Sequence, residues 1–565
     1  MMLIISKNML KLEIADRNYT SWKYGVLTHQ SQDELPNPLT HMFLHEDVIN
    51  EKGELIIPSP FRTNQMIPGI LVLENSKTYG RSNDKGRLLY KCIPDSHHLP
   101  NFIVPYDNKC IQFRKRPLNK YVLFCFKEWK DKHPVGMITH ILGDVDKLEV
   151  FYEYQLHCKS LMDSIKDFNK YTLEQTKSIS NIEDVIPDIE DRREHVIFSI
   201  DPEGCKDIDD AMGIVTTPNG YIVSIYIANV TLWMEALKLW NVFSERISTI
   251  YLPDRRVSML PTILSEHYAS LKEGNDRFAF CMDLHISRDD CMIEKIEYKN
   301  VLIKLDRNYV YDEKALLENP LYKKIMEITK ELTQITNYLD TVTDSHEVVE
   351  FWMILMNNQC GILLECHKTG LFRTKQHDDD TDRKIDIDIE NKNIFKIWNS
   401  TSAASYCSFE NNKGHDMIGK TGLDTYVHIT SPIRRLVDLI NITTIQKKLG
   451  LMKCSDDCER FLTKWYSRID YINQKMKAIK RVQNDCSLLY LCSSGTINIE
   501  EEMECYVWCD NDIDNMNIYI PSIKWITNIR VETDKKYKNY SLQKCKVFVI
   551  NDEVSLKRKV RIMIL

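Results

Sequence analysis

The stretch "SIDPEGCKDIDDAMG", residues 199–213, places four aspartates, Asp201, Asp207, Asp209 and Asp210, within ten positions. It follows the strand-like apolar run "HVIFSID". Carboxylates this close repel one another, and at low dielectric each close pair costs several kcal/mol unless a cation neutralises it. Taken alone, such a D-x5-D-x-D-D pattern reads as a solvated acidic turn. A calcium loop of the EF-hand type fails, because counting from Asp207 the sixth position is Met212 rather than glycine and the twelfth is Pro218 rather than glutamate. Magnesium suits the pattern better. It takes few carboxylates, keeps waters and shares its shell with substrate phosphates. Two such ions about 4 Å apart can hold the attacking and leaving oxygens of a phosphodiester.

Outward from this stretch, the 565-residue chain is too long for one core and predicts three or four domains. Its 43% apolar and 27% charged residues are those of a folded globular protein. The net charge of −7 argues against a generally sticky polycation, yet an acidic protein can carry a basic channel, so nucleic acid is not excluded. The seventeen cysteines are scattered from Cys92 to Cys545 without the density of a disulfide scaffold, and the C-x3-C pairs Cys454/Cys458 and Cys505/Cys509 have no companion pair for zinc. Reduced thiols in a cytoplasmic protein are the expectation. The N-terminal apolar run is broken by Lys7 and Lys11, and no window reaches 18 apolar residues, so neither a signal peptide nor a membrane span is expected.

Residues 1 to about 180 read as short strands separated by turn residues, among them "GELIIP", "RLLYKCI", "NFIVPY", "KYVLFCF" and "KLEVFYEY", a spacing that suits one or two small β-barrels. "SLMDSIKDFNKYTLEQTKSISNIEDVIPD" reads as a linker. Strands return at "HVIFSID" and "GYIVSIYIANV"; from about residue 315 the period is helical, with Ile325, Ile328, Leu332, Ile335 and Leu339 on one stripe. Further helices are expected from Arg434 to about 450 and from Asp457 to about 491, before strands resume at "ECYVWC", "MNIYIP" and "CKVFVIN".

Two more blocks, "YLPDRRVSMLPTILSEHYASL" at 251–271 and "YVHITSPIRRLVD" at 426–438, complete a set of three. With "IDPEGCKDIDDA" they resemble the signatures of the ribonuclease II / ribonuclease R (RNB-domain) family of 3′→5′ exoribonucleases, closest in motif to the eukaryotic exosome type. The resemblance implies an α+β multidomain fold: a reduced cold-shock-like barrel at 1–85, a second cold-shock/OB barrel and linker at 86–180, a mixed α/β RNB catalytic domain at 181–495 and an S1-like OB barrel at 496–565. No separate endonuclease domain is expected ahead of the first barrel. It implies hydrolysis of single-stranded RNA from the 3′ end to nucleoside 5′-monophosphates by a monomeric enzyme, using two magnesium ions, with manganese as the alternative. By the same resemblance Asp201, Asp207 and Asp210 hold metal, Asp209 acts on the attacking water or reacting phosphate, and Arg434 lies on the scissile phosphate. Tyr251 lies near the terminal nucleotide, Tyr311 stacks on the last base, Glu350 lines the channel beside Asn357, and Arg435 touches RNA or serves the framework.

The sequence also departs from the family pattern. Asn229 stands where the family has aspartate, Leu436 replaces a tyrosine after the two arginines, and Ile442-Thr443 replaces a His-Arg pair. The stretch between Tyr311 and Glu350 is short, and "NNKGHDMIGKTGLDTY" fits poorly. These changes bear on processivity and RNA grip. "HDDDTDRKIDIDIE" at 377–390 has no preceding apolar strand and reads as a solvated loop, whereas "SLKRKVRIMIL" at the C-terminus reads as an RNA-contacting strand. The competing reading is a catalytically inactive RNA-binding relative, against which the retention of all four aspartates counts.

Overall fold

The computed structural model describes residues 9–25, 35–50, 52–63, 65–82, 86–107, 117–177, 189–336, 338–339, 341–374, 405–412, 425–495, 501–509, 515–523, 525–530, 541–552 and 558–565, with residues 179, 182, 185–186, 414, 423, 537–538 and 556. The acidic segment 377–390 lies outside the described residues, as does most of 411–424.

The chain opens with a four-stranded antiparallel sheet, ordered β2-β1-β3-β4, made by β1 (Met9–Ile14), β2 (Trp22–Tyr24), β3 (Val48–Asn50) and β4 (Leu55–Ile57). In β1 alternate residues Leu10, Leu12 and Ile14 are buried, the period-two signature of a one-sided sheet. A closed barrel follows from β5 (Ile67–Leu71), β6 (Leu89–Pro94), β7 (Phe102–Pro105), β8 (Lys120–Glu128) and β9 (Val135–Asp144). Because β5 pairs with both β6 and β8, "IPGIL" at 67–71 belongs to this barrel and not to the first sheet, which moves the boundary expected at residue 85 upstream.

"KLEVFYEY", expected as a strand, is the start of helix α1 (Leu148–Cys158), which buries Phe151, Tyr152, Tyr154, Gln155 and Leu156. The stretch read as a linker contains α2 (Lys166–Thr176).

The central domain is built on a seven-stranded sheet. Its strands are β10 (Glu190–Asp191), β11 (Ile197–Asp201), β12 (Asp210–Thr217), β13 (Gly220–Ala228), β16 (Asp276–Ser287), β17 (Ile293–Lys304) and β18 (Arg307–Val310), in the order β10-β17-β16-β13-β12-β11-β18. Strand β13 is a nearly continuous buried run, and its first residue must be glycine: a Cβ on Gly220 would fall 2.0 Å from the Ile286 carbonyl oxygen of β16. A two-strand pair, β14 (Ile250–Tyr251) with β15 (Arg256–Val257), stands beside the sheet, and α3 (Val230–Ala236) follows β13.

The helices are α4 (Lys314–Glu318), α5 (Pro320–Thr336), α6 (Ser345–Cys366), α7 (Leu436–Lys448), α8 (Asp456–Tyr466) and α9 (Ile469–Ser493), with the pair β19 (Leu371–Thr374) and β20 (Ser405–Ser408) between α6 and α7. The single helix expected from Asp457 to 491 is thus two, broken at Ser467 and Arg468. On α5 the predicted stripe buries Ile325, Ile328 and Leu332, while Ile335 is exposed. Helix α7 is buried from Leu436 to Gln446, which makes it the centre of the domain. Leu436 and Ile442, two of the departures from the family pattern, fill that core.

The chain ends in a five-stranded antiparallel OB-like sheet, ordered β23-β22-β21-β24-β25, from β21 (Met503–Cys509), β22 (Asn515–Ile520), β23 (Trp525–Arg530), β24 (Ser541–Asn551) and β25 (Arg558–Ile564). The whole is α+β, with OB-like barrels and half-barrels flanking one mixed domain. The described cysteines are free thiols, and no helix among the described residues is long and apolar enough to cross a membrane.

Candidate active site

All four aspartates lie at one end of the central sheet because β11 stops at Asp201 and its antiparallel neighbour β12 starts at Asp210. The loop between them carries Asp207 and Asp209. Strand β18 runs parallel to β11, and its continuation brings the Tyr311 amide onto the Asp201 carbonyl at 3.3 Å. The same sheet end therefore presents Asp201, Asp210 and Tyr311.

Arg434 reaches this point from more than two hundred residues away. Residues 247–249 zip against 434–436: the Thr249 and Leu436 amides donate to the Arg434 and Ile247 carbonyls at 2.9 Å each, and the Ser248 hydroxyl adds a second donor to Arg434. That zipper fixes Arg434 and, two residues beyond Thr249, Tyr251. Asp209 then receives the Ile433 amide at 2.9 Å on Oδ1 and Arg434 Nε at 3.0 Å on Oδ2. Arg434 Nη2 donates to Ser431 Oγ at 2.8 Å, and the side chain remains 41% exposed, so its other edge faces outward.

Asp207 is held differently. It accepts from the Tyr251 hydroxyl at 3.0 Å and from Arg256 Nη1 at 2.5 Å, while the other arm of Arg256 binds Glu266. Arg256 was not among the residues predicted from sequence. The signal was present: the Pro253-Asp254 turn in "YLPDRR" closes a hairpin that sets Tyr251 opposite Arg256.

Burial dominates the electrostatics. It pushes the Asp209 carboxyl up to about 7, with Arg434 and the Ile433 amide pulling the other way. Burial likewise lifts Asp201 to about 6, against a hydrogen bond from Ser199 Oγ at 2.7 Å and the charge of Arg434. Asp210 is raised well above the carboxylate range by burial first and by Asp201 and Asp209 next. Among the described residues Asp210 accepts no hydrogen bond and has no ion pair. Asp201 and Asp210 are thus acids short of positive charge, whereas Asp207 and Asp209 each have an arginine.

This division sets Asp207 apart from Asp201 and Asp210, with which it was expected to hold metal. Among the described residues, no group of three or more His, Cys, Asp or Glu side chains is arranged to hold a metal ion. The pair Asp201/Asp210 fits a magnesium ion in another way, since that ion commonly takes one or two carboxylates and completes its shell with water and substrate phosphate.

Of the residues expected to meet RNA, Tyr311 is half-buried and stacked on His346 at the start of α6, with ring centroids 3.6 Å apart and planes 8° from parallel. Glu350 is exposed on α6 one turn after His346, hence on the same face of the helix. Arg435 is a correction. Its guanidinium is turned inward, with Nη2 on buried Asp438 at 2.7 Å and Nη1 near His428, so it serves the framework. Asn357 is also interior, donating to the Tyr426 hydroxyl and accepting from the Ile429 amide. Asn229 is buried as well: it caps α3, accepts from Gln446 Nε2 at 2.9 Å and donates to Asn300 Oδ1 at 2.9 Å.

The sequence from 189 to 338 matches the family model described as "RNB domain". Residues 189–338 are an RNB domain. Arg434 lies beyond the matched residues, so its membership of the site rests on the geometry above. The curated relatives include DIS3-like exonuclease 2 and an inactive exonuclease DIS3L2, both of Arabidopsis thaliana, each 29% identical over 219 residues, 36% of this chain and 20% of theirs. Ribonuclease R of Thermotoga maritima is 30% identical over 207 residues, 36% of this chain and 29% of its own. The matches thus span less than a third of these relatives' length. Among solved structures, the apo form of Mycoplasma genitalium RNase R overlays with a TM-score of 0.68 at 15% identity, covering 98% of this chain and all of that one. The RNB domain here therefore shares both its sequence class and the multidomain architecture around it.

Proposed function

We propose that this RNB-domain protein is a 3′→5′ exoribonuclease that hydrolyses single-stranded RNA to nucleoside 5′-monophosphates. The observation that carries this reading is the meeting of Arg434 with the aspartate-bearing sheet end, since a guanidinium beside uncompensated carboxylates is suited to a phosphodiester and its counter-ion. Asp201 and Asp210 would hold a divalent cation, magnesium before manganese. When bound, the ion supplies positive charge to the scissile phosphate and to the attacking oxygen.

The protein's own residues account for the rest. Arg434 engages the phosphate through its exposed edge. As it shifts toward that phosphate, Asp209 Oδ2 becomes free to accept a proton from the attacking water, and the burial that already lifts this carboxyl to about 7 beside Arg434 makes it a stronger base than an exposed aspartate. Tyr311 and His346 form an aromatic wall at the same sheet end, suited to a terminal base of any identity. RNA as the ligand is supported by the neighbouring Mycoplasma genitalium RNase R, solved in complex with ribose-methylated single-stranded RNA and with double-stranded RNA.

A second reading, an RNA-binding protein that does not cut, is favoured by one observation: Asp207 and Asp209 are already ion-paired, to Arg256 and Arg434. The deciding experiment incubates the protein with a 5′-labelled single-stranded RNA and magnesium, beside Asp209→Asn and an EDTA control. A ladder shortening from the 3′ end, absent from both controls, supports the exonuclease. Tight binding without a ladder from the wild type supports the binder.

A further inference from the structure

Away from the aspartates, a cavity of about 540 Å³ is bordered by Glu266 and His267 of the short helical segment Ile263–Tyr268, by Lys272, by the first residues of β16 and by Ile179 and Ile182. Its volume is that of a small-molecule site. Arg277 lines it, 8% exposed, and has no carboxylate partner: Nε donates to the Ser270 carbonyl and Nη1 to the Asp276 carbonyl, both at 2.7 Å. Nη2 makes no hydrogen bond among the described residues. A guanidinium this buried is costly without a counter-charge.

The two acids bordering the cavity are each held by another arginine, and only the charge of Asp276 reaches Arg277, without an ion pair. Glu266 is bound to Arg256, and Asp276, the acid closest in sequence to Arg277, is bound to Arg193 at 3.0 Å. Lys272 and His267 have no side-chain hydrogen bond or ion pair among the described residues. Among the described residues, the cavity therefore gathers Arg277, Lys272 and His267 around a space whose two carboxylates are each paired with another arginine, with an apolar wall from the two isoleucines.

We propose that this cavity is a phosphate-binding site for a nucleotide, its phosphate on Arg277 and Lys272 and its apolar part against Ile179 and Ile182. It does not depend on the nuclease reading, because it is built from other residues. It is nonetheless two ion pairs removed from the aspartates, Glu266 to Arg256 and Arg256 to Asp207. The phosphate has two possible sources, a free nucleoside 5′-monophosphate or the backbone of a bound RNA.

Calorimetric titration of the full chain in EDTA with AMP, and separately with a single-stranded RNA dodecamer, separates them. In the free-nucleotide case AMP binds the wild type, Lys272→Gln weakens it about tenfold, and Arg434→Ala leaves it unchanged. In the backbone case AMP does not bind, and Lys272→Gln weakens the dodecamer by a similar factor. Arg277→Gln should abolish either, and if that variant does not fold, the half-buried Lys272 still decides. AMP binding lost in Arg434→Ala but kept in Lys272→Gln would place the phosphate at the aspartates and overturn the proposal. Indifference of both ligands to Lys272→Gln would overturn it equally.

Discussion

Replacing Asp201 with asparagine should make the metal-free protein more stable at alkaline pH, while removing its response to magnesium. The Asp201 carboxyl is lifted from 3.8 to about 6 by burial at the end of β11. Its folded form therefore binds a proton more tightly than its unfolded form, so between those two values folding takes up protons and stability falls as pH rises. Above about pH 7 the full cost is present. A displacement of roughly two units at 1.36 kcal/mol each sets it at about 3 kcal/mol, an upper figure for a partly solvated group. Asparagine carries no charge, and its amide oxygen can still accept the Ser199 hydroxyl. In EDTA at pH 8, scanning calorimetry should show Asp201→Asn melting several degrees above wild type, a gap that closes near pH 4. Adding magnesium should raise the wild-type melting temperature, because the ion binds the folded state, and should leave the variant nearly unmoved. A variant less stable than wild type at pH 8 in EDTA would refute the claim that this carboxylate lacks a counter-charge.

Three further changes probe the rest of the site. Arg434→Ala should lower the rate of RNA cleavage in single-turnover assays by about 10²–10³, and Arg434→Lys should restore little of it, since an ammonium cannot reproduce a planar fork that rests on Asp209 and Ser431 and then presents two donors to a phosphate. Asn229→Ala should cost about 2–4 kcal/mol in denaturant titrations by removing a helix cap and stranding the Gln446 amide, with cleavage per folded molecule unchanged. His346→Ala should weaken RNA binding about three- to tenfold in filter-binding or anisotropy measurements while single-turnover cleavage at saturation holds, because the ring extends Tyr311 without touching the aspartates.

The sheet end was legible in the sequence because two local rules coincide there. "HVIFSID" is an apolar run with β-branched residues, and the acidic loop that follows cannot continue it, so Asp201 had to fall at a strand terminus. Helix α1 looks like a strand in sequence for an equally local reason. Within the eight residues "KLEVFYEY", Leu148, Val150 and Tyr152 alternate like a strand. Only when the window extends to Leu156 does the spacing Leu148, Phe151, Tyr152, Gln155, Leu156 declare a helix. Side-chain allegiance was legible least of all. Arg434 and Arg435 are adjacent and chemically identical, yet one faces Asp209 and the other Asp438. The choice is made by the zipper with residues 247–249, a contact that no spacing within "SPIRR" encodes.

That zipper also bears on why the four aspartates are not equivalent. Asp207 and Asp209 lie within the loop, where Arg256 and Arg434 are brought up by β15 and by the entry to α7. Asp201 and Asp210 terminate strands, and the residues paired with them there, Val310 and Ile227, bring no cation. The charge that remains uncompensated is therefore confined to the position where the sheet stops. A site arranged in this way is incomplete in one direction only. On the proposed reading, that is the direction from which a divalent ion and a phosphate arrive together, each reducing the electrostatic cost of the other. It follows that metal and RNA should bind cooperatively: magnesium affinity measured with a non-cleavable RNA present should exceed that of the free protein, and independence of the two would count against the arrangement.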